Sequence, residues 1–221
     1  MNESTPVCAK CPYHWSKRLC NIEEGKSPDS CPTQNKKDLL TQSLKRYEDP
    51  EIAIFAKHAS IQEGEGYQYI DGKVRAVKPR LLETVEFARK MNYCKLGFIF
   101  CEGLADEAKV VNRYLEKNDF EVVSIVCKAG RTPKEQIGVL DEQKILPGTF
   151  EPMCNPIYQA YIVNDARVDF NIIMGLCVGH DSLVIKHLEA PVTVLAAKDR
   201  ILGHNPLAAV YQLNSYYAFL K

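Results

Sequence analysis

The sequence of 221 residues predicts an α/β protein: a Rossmann-like open parallel sheet of about four strands with flanking helices, plus a small Cys-rich metal-binding module at the N-terminus. Three observations lead there. Short, continuous apolar runs alternate with longer segments of helical period, the pattern of a parallel sheet buried on both faces. Three successive runs end at a cysteine, at Cys101, Cys127 and Cys177. The first 35 residues, by contrast, hold four cysteines and almost no periodic apolar pattern.

Residues 1–35 carry Cys8, Cys11, Cys20 and Cys31 as Cys-x2-Cys-x8-Cys-x10-Cys, with prolines at 6, 12, 28 and 32. A segment so poor in apolar residues cannot build a core and needs a cross-link to be ordered, which a metal supplies. Four thiolates suit tetrahedral Zn2+ or an iron–sulfur cube equally well, and the spacing does not discriminate. His14 can replace one thiol in a Cys3His site, against the plainer reading of an exposed loop histidine.

Residues 36–78 read as a helical linker or scaffold. Helices are expected over 36–46 and 50–63, then turns at Gly64-Glu65-Gly66 and Asp71-Gly72, with a short hairpin around Tyr67 to Val74. Residues 79–221 form the α/β domain. Pro79 opens a helix with Leu81, Val85, Ala88 and Met91 on one stripe, followed by strands over 95–100, 121–126, 170–176 and 192–197. Between them, helices carry Leu104, Ala108, Val111 and Leu115, then Ile157, Ala160 and Tyr161, and start again at Gly179-His180-Asp181. A last helix begins at Asn205-Pro206 with Val210, Leu213, Tyr217 and Leu220 on one face.

Lys plus Arg and Asp plus Glu both number 28, so the formal charge cancels and the footprint of a general nucleic-acid or anionic-membrane binder is missing. A small molecule or a redox partner protein is the expected partner, and the oligomeric state stays open. With no leader-like start and no apolar run approaching ~18 residues, a cytoplasmic location is expected. Thiols stay reduced there, and an odd count of nine cysteines fits a disulfide framework badly.

In an open parallel sheet the carboxyl ends of the strands face one crevice, so Cys101, Cys127 and Cys177 should meet there, with Cys154 at the start of a helix on the same edge. Any one of them can be a small core hydrophobe. Together they favour a metal or cluster site, helped by helix N-termini that stabilise thiolate. A [4Fe-4S] cluster is expected in this crevice and Zn2+ or a second cluster in the N-terminal array. Cys177 is the candidate essential thiol, with His180 as hydrogen-bond donor and His204 as a further proton donor or spare ligand. Lys198, Asp199, Arg200, Asn205 and Asp181 form the expected surroundings, each with an ordinary cap or loop role as its plainer reading. Glu102 and Asp106 can also reach the crevice. No Gly-x-Gly-x-x-Gly, Walker-type loop or nucleophile elbow is present.

The strings Cys154-Asn155-Pro156-Ile157, Gly175-Leu176-Cys177-Val178-Gly179-His180-Asp181 and Lys198-Asp199-Arg200-Ile201-Leu202-Gly203-His204-Asn205-Pro206, with the N-terminal cysteines, resemble DUF1847, a bacterial and archaeal family of presumed metal-binding proteins. The resemblance covers essentially the whole chain. It implies metal binding and supplies no reaction. Three classes of function follow from the residues: an iron–sulfur enzyme or redox protein acting on a small, sulfur-containing substrate; a non-catalytic metal sensor or carrier; and an interaction protein stapled by zinc.

Overall fold

The computed structural model describes residues 5–220. They divide between Ile61 and Gln62 into two compact units.

In the first unit, single 3-10 turns at Cys8–Lys10 and Trp15–Lys17 precede α1 (Pro32–Asn35), α2 (Lys37–Arg46) and the greater part of α3 (Pro50–Glu65), whose residues from Gln62 on belong to the second unit. No residue between 5 and 61 is buried, as the missing apolar pattern requires. Backbone bonds organise the segment before α1 instead: Leu19 N–H reaches Lys26 O at 2.9 Å, and Lys26 N–H reaches Lys17 O at 2.8 Å.

The second unit opens with a hairpin, β1 (Tyr67–Ile70) and β2 (Lys73–Ala76), turning at Asp71-Gly72. Helix α4 (Arg80–Lys90) takes Pro79 as its N-cap and buries Val85, Phe87 and Ala88. Then the expected alternation holds: β3 (Lys95–Phe100), α5 (Ala105–Glu116), β4 (Glu121–Val126), α6 (Pro156–Asp165), β5 (Phe170–Met174), α7 (His180–His187), β6 (Val192–Ala196) and α8 (Leu207–Tyr211). The four longer strands pair in parallel in the order β4-β3-β5-β6. From β3 the chain first steps outward to β4 and then returns to the other side of β3, so the topological switch lies between β3 and β5. That is where an open α/β sheet leaves room for a ligand.

Alternation along the strands separates two faces. Phe87 of α4 packs its ring 5.7 Å from Phe170, so Phe170 and Ile172 lie on the α4 side. Ile99, Ile173 and Val184 share the opposite core with Ala160 and Val163 of α6.

Three expectations are corrected. Strand β5 stops at Met174, not at Leu176, because Gly175 turns to φ +68° and a Cβ there would run into Leu104 Cδ1. On α6 the buried face is Pro156, Gln159, Ala160 and Val163, leaving Tyr161 exposed, so the stripe is rotated from the one expected. The last helix ends at Tyr211, and Val210 and Leu220 remain exposed. Beyond it Ser215 donates its hydroxyl to Gln212 O and Oε1, the local bonding through which Ser competes with a helix.

Candidate thiol and metal centre

The parallel ladder runs past the last strand residues into the cysteines. Cys127 N–H donates to Phe100 O at 3.0 Å, and Cys101 N–H donates to Met174 O at 3.2 Å. Both side chains lie on the α6 side of the sheet, two residues beyond Ile125 and Ile99. The third thiol arrives from a loop. Asn155 N–H bonds Cys127 O at 2.8 Å, while its Oδ1 accepts from Tyr158 N at 3.0 Å and caps α6. Cys154 is thereby set beside the strand ends.

The result is a run of three sulfurs in which Cys127 makes hydrogen-bond contact with both Cys101 and Cys154. Cys127 is 2% exposed, and its neighbours are partly open. The Cys127 contact, the Gly103 N–H and the Lys198 ammonium together pull the Cys101 thiol down to about 5. The same Cys127 contact, with the charges of Lys128 and His180, brings Cys154 down to about 6. Cys127 moves the other way: its contacts with Cys101 and Cys154, together with burial, keep its proton on. Cys101 and Cys154 therefore give up their protons well before Cys127 does.

Cys177 stands apart from this run. It follows Gly175 by two residues and accepts from Arg200 Nη2 at 2.9 Å. Its carbonyl receives the His180 and Asp181 N–H groups at 2.9 and 3.1 Å, at the start of α7. His180 therefore connects the two parts, its N–H bonded to Cys177 O and its ring acting on Cys154 through charge. Lys198 and Arg200 form no ion pair with a carboxylate among the described residues.

The remaining polar residues hold the loops. Asp199 Oδ1 accepts from Ile201 and Leu202 N–H at 3.0 and 2.8 Å, and His204 Nδ1 accepts from Asp199 N–H at 3.1 Å. Asp181 Oδ1 accepts from Gly179 and Ser182 N–H. Asn205 O receives the Ala208 N–H. Glu102 reaches the crevice through its backbone, donating to Cys127 Sγ at 3.4 Å, and Asp106 pairs with Lys109 with its side chain 91% exposed.

Two participants went unnoticed in the sequence. Lys128 follows Cys127 directly and its charge acts on Cys154. Gln159 is fully buried on α6 and donates from Nε2 to Phe100 O at 3.2 Å and Ile125 O at 2.9 Å, bridging the ends of β3 and β4. Its Oε1 is buried without a partner. A glutamine between Pro156 and Ala160 on an apolar helix was the available signal.

In the first unit, Cys8, Cys11, Cys20 and Cys31 all line one cavity of about 120 Å3. Cys11 N–H closes the first turn on Cys8 O at 3.2 Å, and Cys31 caps α1 through its backbone. The Thr33 hydroxyl lowers the Cys31 thiol below its ordinary value. His14 bonds Ser16 Oγ at 2.8 Å and is not among the residues lining the cavity. Among the described residues, no three His, Cys, Asp or Glu side chains stand in the arrangement of a metal-ligand group, in either unit. The expected N-terminal metal module is therefore present as a cysteine-lined cavity and not as an assembled metal site. Cys94 is exposed, with its N–H on Asp169 Oδ2.

Comparison with known proteins places these residues in a lineage. The model of a family described as a protein of unknown function, DUF1847, matches residues 31–195. The chain belongs to the DUF1847 family. Within the DUF1847 match lie Cys31 and the four crevice cysteines, while Cys8, Cys11, Cys20, Lys198 and Arg200 fall outside it. The chain is also 40% identical over 182 residues to the uncharacterized protein MJ0455 of Methanocaldococcus jannaschii, covering 82% of this chain and 87% of that protein. No solved structure matches.

Proposed function

We propose that this DUF1847 protein binds soft metal through thiolates at two separate places, a [4Fe-4S] cluster in the crevice and Zn2+ or a second cluster in the N-terminal cavity, and that the crevice serves redox chemistry on a small molecule. What supports the reading is the sorting of the thiols. Four gather around one cavity, and three lie in a run over the ends of β3 and β4, beside the switch point of a parallel sheet. Sulfur-only donors suit zinc and iron–sulfur centres and not Mg2+ or Ca2+.

Cys101, Cys127, Cys154 and Cys177 would hold the crevice group, which when bound would supply electron transfer. The chain's own residues do the rest. Lys198 and Arg200 offset sulfur charge at Cys101 and Cys177. His180 is placed to hydrogen-bond a ligand beside Cys154 and Cys177. Loading the crevice requires the Cys127 proton to leave, so metal uptake should release protons.

Anaerobic purification with metal and sulfide analysis tests the proposal. Brown protein containing iron and acid-labile sulfide, lost on Cys177→Ser and kept on His180→Ala, is the expected result. Colourless protein without metal would overturn it. Zinc at both places would keep the metal and remove the redox role.

A further inference from the structure

We infer that the crevice, when no metal occupies it, carries out thiol–disulfide exchange with small organic disulfides, with Cys127 as the sulfur common to every bridge it forms. This rests on reading the crevice as a site of thiol chemistry and not on a metal being in it.

The backbone already meets the requirements of a bridge. Phe100 and Val126 are paired in the parallel ladder, so Cys101 and Cys127, each one residue further on, continue adjacent strands and project to the same face. Neighbouring strands lie about 4.8 Å apart. A disulfide needs Cα atoms roughly 4.4–6.8 Å apart. On its other contact, Cys127 is joined to the Cys154 segment by the 2.8 Å bond from Asn155 N–H to Cys127 O. Cys101 and Cys154 both pack against the buried cluster that holds Cys127, without converging as a ligand group. Exposure then sets the order of events, since Cys101 and Cys154 are partly open and Cys127 is buried. An incoming disulfide meets Cys101 or Cys154 first, and Cys127 can only resolve.

The chemistry balances with the disulfide as oxidant. The Cys101 sulfur, its proton given up to solvent, attacks one sulfur of RSSR, the S–S bond breaks, and the departing RS− takes a proton from solvent as RSH. Cys127 then attacks the Cys101 sulfur of the mixed disulfide, passing its proton to the second departing RS−. Two protein thiols and RSSR have become one protein disulfide and two RSH, with the two electrons supplied by the protein. Attack by Cys154 on Cys127 moves the bridge and frees Cys101 without further oxidation.

Cystamine is a suitable probe, applied to the full chain before and after anaerobic removal of metal by a chelator, with the bridges read by peptide mapping. Bridges of Cys127 with Cys101 and with Cys154 are expected in the chelated protein. Cys127→Ser should stop at cystamine adducts on Cys101 or Cys154, and Cys101→Ser should form only the Cys127–Cys154 bridge. A Cys101–Cys154 bridge in the parent, or adducts that persist there unresolved, would overturn the inference. Metal content separates the two readings: bridging in a protein that never held crevice metal sustains the exchange and removes the metal, whereas crevice metal without bridging after chelation does the reverse.

Discussion

Arg200 donates from Nη2 to the Cys177 sulfur at 2.9 Å, and this bond ties the loop after β6 to the loop after β5. Lys198, two residues earlier, touches Cys101, so one loop supplies a cation to a sulfur on each side of the switch point. Arg200→Ala should release the two loops from one another. Amide hydrogen exchange around Val178 and Ile201 should accelerate severalfold while the β3 and β5 amides keep their protection, and unchanged exchange in those loops would contradict the tie.

The depressed thiols make a pH prediction of definite sign. A lowered value means thiolate at neutral pH, lost only as pH falls through about 6 for Cys154 and about 5 for Cys101. In metal-free native protein, iodoacetamide should therefore label Cys101 at a rate nearly flat from about pH 8 to pH 6, declining below pH 5. In urea-unfolded chain the rate should climb about tenfold per pH unit up to the ordinary thiol value near ~8.5. A native profile that follows the unfolded one would remove the thiolate assignment.

Gln159→Leu removes the two hydrogen bonds that bridge Phe100 O and Ile125 O. Phe100 O keeps its bond from Cys127 N–H, so each lost bond costs only ~0.5–1.5 kcal/mol, moderated further by loss of the unpartnered Oε1. Urea unfolding should show a lower midpoint with an unchanged slope. Because the bridged carbonyls directly precede or nearly precede Cys101 and Cys127, the rate of Cys101 labelling should change as well.

Gly175→Ala combines a left-handed backbone with a collision against Leu104. A destabilisation of roughly 1–3 kcal/mol is expected from the backbone alone. The double variant Gly175→Ala with Leu104→Ala should recover part of the clash and none of the backbone strain, which thermal unfolding of the two proteins would read.

Cys11→Ser should loosen the segment before α1, where no side chain is buried, and leave the second unit intact. Limited proteolysis should cut first within residues 5–35, with residues 62–220 surviving. Equal protection of that segment in parent and variant would show that the thiols do not organise it.

The sheet was legible because its signal is local. Leu96 to Phe100 is a continuous apolar run, Val122 to Val126 is broken only by Ser124, and both strands end where those runs end. The crevice was legible to the extent that it depends on strand ends, which is how Cys101 and Cys127 come to touch. Cys177 was read as the end of a strand, although Gly175 had already turned the chain away. Tertiary contacts carried the rest: Gln159 gains its role only from two carbonyls on other elements, and Lys128 acts on a thiol that is 26 residues away in sequence. The final apolar stripe predicted a helix that no buried surface sustains.

The early end of β5 makes the crevice lopsided. Two of its sulfurs continue strands and are braced by ladder bonds, so their wall has the stiffness of the sheet. The opposite wall stands on a glycine turn and an exposed arginine, and Val178 at its lip is 93% exposed. An arriving guest would find one side already cast and the other free to close on it, and differences in guest size would be absorbed on the Cys177 side.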